Sequence, residues 1–242
     1  SRCLRSPTPD PTEAAAHVEP GKLQVHAHRL ARIPPGRPGI PDFIARPTRK
    51  PELPYKKPLE SASPGNIVRA AIERRSCRSY GWTPVSLEQF STLMSWSRIP
   101  PEETLSPAGL LDTWIVANAI HGVEPGIWHW DPETNAIALH REGAFREESL
   151  KMCLGQELGG NASFLVVHSV PLELAVDLMG ERAYRPLCMD AGHFGERLNL
   201  AAQAMGLGAS GIGGYFDDQV NRTLGQDLSH AILYVSTVGE PG

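Results

Sequence analysis

Twelve of the 22 prolines fall within the first 60 of 242 residues. A pyrrolidine ring fixes φ and removes a backbone donor, so this stretch can be neither regular helix nor central strand. It reads as an extended arm over residues 1–60, with Ile33-Pro-Pro-Gly-Arg-Pro-Gly-Ile-Pro partly in polyproline II. An ordered domain is therefore expected over residues 61–242. The arm is basic, with 11 Lys+Arg against 6 Asp+Glu (+5), whereas the rest carries 12 against 21 (−9). Such a difference can tether the arm to its own body, tether it across a dimer, or attract an acidic partner. Nucleic acid is not an expected partner, because the body is acidic and the arm has few aromatics to stack on bases. His26 and His28 have no third ligand nearby, so no metal site is expected.

A hydrophobic content of 41% and a charged content of 21% are those of a soluble domain with a real core. No apolar run reaches the length of a membrane span, and no secretory signal is visible. Cys3, Cys77, Cys153 and Cys188 show no C-x-x-C spacing, which argues against a zinc ribbon or a disulfide framework and for reduced, cytoplasmic thiols. The chain starts at Ser1, as expected of a trimmed N-terminus or a piece of a longer protein.

Beyond the arm, Ser63-Pro64 reads as a helix start, with Ile67, Ala71 and Ile72 on one apolar face. Ser86 with Gln89 forms a capping box for a second helix that buries Leu87, Phe90, Leu93 and Met94. Residues 113–119 predict a strand; residues 127–130 and 136–140 predict a hairpin around Asp131-Pro-Glu-Thr-Asn. A helix over 145–154 and a strand over 163–170 follow. The longest helix is marked by Leu187, Ala191, Phe194, Leu198, Ala201, Ala202 and Met205, and Gly206 stops it. A short helix over 218–224 and a strand over 231–238 complete an α+β pattern of helices covering a sheet.

Arg74-Arg75-Ser76-Cys77-Arg78 places three guanidiniums and a hydroxyl within five residues. Planar forks bind phosphate oxygens in pairs, so this is a candidate anion clamp. Cations at a helix C-terminus also complement the macrodipole, and both readings stand. Cys77 reads as the filler residue of the clamp rather than a reactive thiol. The glycine-rich run Gly206–Gly214 follows a helix and contains no G-x-G-x-x-G, which excludes a dinucleotide fingerprint. It is either a loop needing positive φ or a close backbone approach to a flat ligand. Alternation puts Trp128 and Trp130 on one face of the hairpin, as core or interface packing. Asp217 and Asp218 read as caps of the short helix, and His193 as a packed helix residue.

Taken together, these segments resemble the nitroreductase superfamily of flavin enzymes. The resemblance runs through Ile72-Glu-Arg-Arg-Ser-Cys-Arg-Ser-Tyr, Leu105-Ser-Pro-Ala-Gly and Gly122-Val-Glu-Pro-Gly-Ile-Trp-His-Trp-Asp-Pro. Residues 180–193, Leu198-Asn-Leu-Ala-Ala-Gln-Ala-Met-Gly-Leu-Gly and the closing Leu233-Tyr-Val-Ser-Thr-Val-Gly-Glu-Pro are similar to its SagB-type branch. The fold so implied is a mixed, mainly antiparallel sheet flanked by helices, in an intertwined homodimer with a flavin at each subunit boundary. The implied cofactor is FMN. Arg74, Arg75, Ser76 and Arg78 would hold its phosphate and ribityl chain, and Pro107, Ala108 and Gly109 would cover the flavin of the second subunit. Gly211, Ile212, Gly213 and Gly214 would turn backbone N–H groups toward isoalloxazine N5 and O4, where charge develops on reduction.

The implied activity is oxidation of thiazoline or oxazoline rings to thiazoles or oxazoles, in a peptide or carrier-bound substrate, alongside partner enzymes of a biosynthetic cluster. Hydride passes to flavin N5 and a base removes the neighbouring proton. This chain departs from that pattern at Leu178-Met179, where the branch often carries a catalytic Lys-Tyr. Tyr184, Arg185 and Tyr215 are the replacement candidates; otherwise the substrate differs, or the chain is a non-catalytic subunit of the same fold. It also ends soon after the final strand, where many relatives add a phosphate-contacting basic residue, so the Arg74–Arg78 clamp is expected to carry flavin binding.

Overall fold

Seven strands form one sheet in the order β1-β4-β3-β2-β5-β7-β6, every neighbouring pair antiparallel. The structure is a computed structural model that describes residues 56–60, 62–107 and 109–242. The strands are β1 (Lys56–Pro58), β2 (Asp112–Ala117), β3 (Gly126–Asp131), β4 (Ala136–Glu142), β5 (Phe164–Pro171), β6 (Gly208–Ile212) and β7 (His230–Gly239). The helices are α1 (Ile67–Glu73), α2 (Leu87–Ser97), α3 (Arg146–Met152), α4 (Glu157–Asn161), α5 (Leu172–Met179), α6 (Tyr184–Ala204) and α7 (Asp217–Leu224). This is the α+β sheet flanked by helices that the sequence predicts.

Helices cover both faces of the sheet, so β5 is buried along almost its whole length and its first four residues, Phe164 to Val167, are all apolar. Alternation divides it: Phe164 and Val166 join the core under α2 and α6, while Leu165 and Val167 join the core under α3, α4 and α7. Trp128 and Trp130 share the α2–α6 face, as predicted, and their indole N–H groups donate to Glu124 O (3.0 Å) and Asn135 Oδ1 (3.2 Å). Ser86 and Gln89 form the expected reciprocal capping box.

The N-terminal boundary differs from expectation. Lys56–Pro58, the end of the expected extended arm, is an edge strand of the sheet, where a proline's missing donor is tolerated. Asn135 holds it there, donating to Leu59 O at 2.8 Å. Residues 1–55, with Cys3, His26, His28 and the polyproline II segment, lie outside the described residues. Helix α1 starts at Ile67, not at Ser63. Gly65 takes φ +110° between them, and the Asn66 side chain accepts from Arg69 N at 3.0 Å. Its buried residue is Ala70, whereas Ile72 and Val68 are more than 70% exposed. Helices α4 and α5 were not predicted. α4 is only five residues long, and α5 follows Pro171 directly with no side-chain cap to mark its start.

Gly206 ends α6 at φ +75°. The glycine run beyond it contains the edge strand β6 instead of being a loop throughout. Gly208 and Gly211 are glycine for want of space: a Cβ at Gly208 would overlap Cys77 Sγ, and one at Gly211 would overlap the Tyr234 hydroxyl.

Among the buried polar groups of this core is one imidazole with no solvent contact. His168 on β5 is fully buried, 4.5 Å (ring centroids) from Phe194, with Nδ1 3.1 Å from Thr113 Oγ1 and no hydrogen-bond partner for Nε2 among the described residues. Burial pushes its pKa down to about 3. The unfolded chain takes up this proton below about pH 6.5, while the folded chain refuses it. The stability contributed at neutral pH is therefore lost progressively as pH falls from about 6.5 toward 3. Denaturant midpoints measured across that range should decline, and His168→Leu should make the decline shallower.

Candidate functional site

Helix α1 ends at Arg74, its C-cap, where φ −52° and ψ 129° turn the chain into an extended run. That run lies along the outer edge of β6, with the Cys77 N–H donating to Ala209 O at 2.9 Å. In an antiparallel ladder, alternate residues direct both backbone groups to the same side. Ala209 faces outward, so Gly211 does too, and its N–H and C=O look away from β7. The arginine cluster and the glycine-rich strand, separated by about 130 positions in sequence, are thereby placed side by side.

Arg74 and Ser76 are half-buried; Arg75 and Arg78 are exposed. Among the described residues none of the three arginines forms an ion pair. The last turn of α1 contains no basic residue, and only Arg75 reaches back to the helix end, donating to Arg74 O at 2.8 Å and Ile72 O at 3.5 Å. The macrodipole therefore accounts for little of the cluster. Cys77 is packing, as expected: its Sγ donates to Ser79 O and lies against Gly208. Gly213 has open space where a side chain would be, Gly214 sits against Leu154, and Ile212 is buried in the core under α3 and α7. Guanidiniums with no ion pair among the described residues, next to the outward-facing backbone of Gly211, suit a ligand with an anionic tail and a flat polar-edged ring, as FMN is.

The turn before β2 has its own anchor. Asp190, buried on α6, accepts from Leu105 N (2.9 Å), Ser106 N (2.8 Å) and Ser106 Oγ (2.5 Å). These charge-assisted bonds offset the cost of burying the carboxylate. They hold the entry to Pro107 and Gly109; Ala108 lies outside the described residues. Since β5, β7 and β6 lie between β2 and the clamp, this turn is about 19 Å from the clamp across the sheet in the same protomer. Asp190 was missed in the sequence, although a signal exists: it shares the helical register of Leu187, Ala191 and Phe194, an acid on an apolar stripe.

The three candidate bases do not converge. The Tyr184 ring is buried near α5, with its hydroxyl bonded to Cys188, and Arg185 is exposed. Tyr215 packs on the opposite face of the sheet and donates to Ile232 O at 3.1 Å. Leu178 and Met179 pack against the apolar cluster of Leu172, Ala175 and Leu187. Asp217 and Asp218 occupy the first turn of α7 instead of capping it, Phe216 being the cap residue. Burial first, and then the charge of Asp218, push Asp217 up to about 6, its own backbone hydrogen bond opposing. His193 is exposed on α6 rather than packed. A surface depression of about 550 Å³, lined by Leu150, Lys151, Phe216, Asp218 and Arg222, includes none of the clamp residues.

Residues 71–240 match the Nitroreductase family, about seven-tenths of the chain. This chain belongs to the nitroreductase family. A solved nitroreductase from Anabaena variabilis superimposes with a TM-score of 0.71 at 31% identity, over 86% of this chain and 49% of that one. The chain thus spans about half the length of that relative. A nitroreductase of Methanocaldococcus jannaschii is 25% identical over 160 residues, 63% of this chain and 81% of its own. The E. coli microcin synthetase McbBCD complex with truncated pro-MccB17 bound contains a chain of the same fold, with a TM-score of 0.59 at 17% identity, covering 96% of this chain and 98% of that one. Nitroreductase-family proteins typically bind FMN.

Asp190→Asn exchanges an acceptor oxygen for an amide that faces two backbone donors. It should destabilise the fold by about 1–3 kcal/mol in denaturant unfolding, the cost of leaving buried donors unpaired, with Ser106→Ala losing less.

Proposed function

We propose that this chain is an FMN-dependent oxidoreductase that converts thiazoline or oxazoline rings to thiazoles or oxazoles in a peptide-derived substrate. The observation that carries the cofactor reading is the Arg74–Arg78 segment, whose guanidiniums form no ion pair among the described residues, lying along β6 next to the outward-facing edge of Gly211. In it, the arginines and Ser76 hold the phosphate and ribityl chain, and the backbone from Gly211 to Gly214 orients the ring. Bound FMN supplies the hydride acceptor. The chain's own share is to fix the geometry, keep water away and present donors where negative charge grows.

Val68, Ile72 and Trp82 leave large apolar surface exposed on either side of the clamp, at 73%, 74% and 72%. Cover by a second copy in a homodimer suits such a surface, with the Pro107–Gly109 turn of that copy closing over the ring. A peptide substrate and partner enzymes are supported by likeness to a chain of the microcin synthetase complex over nearly the full length of both. In this reading the basic arm docks an acidic leader peptide or carrier.

A second reading keeps the cofactor and changes the substrate. It is favoured by Leu178 and Met179, which pack in an apolar cluster and take no proton, and by the hydroxyls of Tyr184 and Tyr215, which already have protein partners.

The purified protein should show flavin absorption and release FMN on heating, identified by chromatography. Arg74→Ala should weaken FMN binding about 10- to 100-fold, the worth of a charge-assisted hydrogen bond. Bound FMN without turnover of azoline peptides would favour the second reading. A colourless protein that takes up no added FMN would overturn both.

A further inference from the structure

Tyr234, on β7, occupies a slot that two glycines keep open. A Cβ on Gly195 of α6 would overlap the edge of its ring, and a Cβ on Gly211 of β6 would overlap its hydroxyl. The ring therefore passes between the long helix and the edge strand, and its hydroxyl emerges against Gly211. That hydroxyl makes no hydrogen bond to any described residue, and the side chain is only half-buried. Every other tyrosine hydroxyl among the described residues has a protein partner: Tyr80 with Thr237, Tyr184 with Cys188, and Tyr215 with Ile232. Two charges face it. Glu196 comes from α6 and Arg74 from the end of α1.

We infer that Tyr234 is a binding residue of the site, its hydroxyl donating a hydrogen bond to the flavin mononucleotide held along Gly211. The inference rests on the cofactor reading above and extends it to a side chain outside the clamp and the glycine run. A phenol suits the role. Burial first, and then the Glu196 carboxylate, hold its pKa above the usual tyrosine value, against the opposing charge of Arg74, so it stays protonated and able to donate at neutral pH. An aromatic ring in contact with a flavin quenches its emission by electron transfer, so the contact has a signature independent of turnover.

The test is to titrate the full chain and its Tyr234→Phe variant with FMN, following visible absorption and flavin fluorescence. The ring still fills the slot in the variant, and its thermal unfolding should match the parent. The parent should quench the flavin on binding. The variant should bind roughly three- to tenfold more weakly, the worth of one hydrogen bond, and show a shifted flavin band. Equal affinity with an unchanged band would overturn the inference while leaving the cofactor reading intact. Failure of the parent to bind FMN would overturn both. Glu196→Gln, an exposed change that spares the slot, provides a second check. By removing the facing carboxylate it should lower the pH at which Tyr234 ionises, read as the 295 nm absorbance difference between chains with and without Tyr234. An unmoved titration would show that the hydroxyl does not sit in this charged corner, and would likewise overturn the inference.

Discussion

Two missing Cβ atoms on β6 govern how the site is assembled. At Gly208 the gap admits Cys77, which lets the chain after α1 lie along the strand and bond to Ala209. At Gly211 it admits the end of the Tyr234 ring. Any larger residue at either position would push one of these partners away. The edge strand thus serves as a template on its outer side, with the arginine segment along one stretch and free backbone groups along the next. Edge strands ordinarily carry a risk of unwanted pairing, and covering part of the edge with a charged segment is a known way to limit it. Here the same covering ends beside the remaining open stretch, with Arg74 facing Tyr234 there.

Helix α6 connects the other parts. Its apolar stripe packs on the sheet through Leu187, Ala191, Phe194 and Leu198, and Gly195 on the same helix makes room for Tyr234. One turn earlier, Asp190 leaves that stripe to hold the 105–106 backbone. A shift of this helix would therefore disturb the slot, the turn and the core together. His168 and Asp190 are both buried polar groups, but they differ in kind. Asp190 is fully engaged by donors, whereas the His168 imidazole has no partner for Nε2 among the described residues, and its burial keeps it neutral.

Much of the fold was legible because its signals are local. The Ser86–Gln89 box, the alternation of Trp128 and Trp130, the helical recurrence from Leu187 to Met205 and the Gly206 stop each lie within a few turns of chain and read directly. Helix α5 was missed because Pro171 joins it to β5 with no polar cap, and β6 because a glycine-rich stretch is a poor strand by propensity. The start of α1 was misplaced since Ser63-Pro64 is as good a local signal as Asn66, and only the φ of Gly65 decides between them.

For the site, the sequence alone was enough to mark the residue types: a cluster of guanidiniums, a glycine run and a small-residue turn, each a property of neighbouring residues. It could not settle which of them meet, because that depends on strand order. Ala209 carries its outward carbonyl to Cys77 only because β6 is the last strand of the sheet, and Pro107 is distant from the clamp only because β5 and β7 intervene. Tyr234 had no distinguishing local pattern at all. Its slot exists where Gly195 and Gly211, on different elements, face one ring, and such coincidences are set by tertiary packing, where close contact between remote segments replaces periodicity as the source of information.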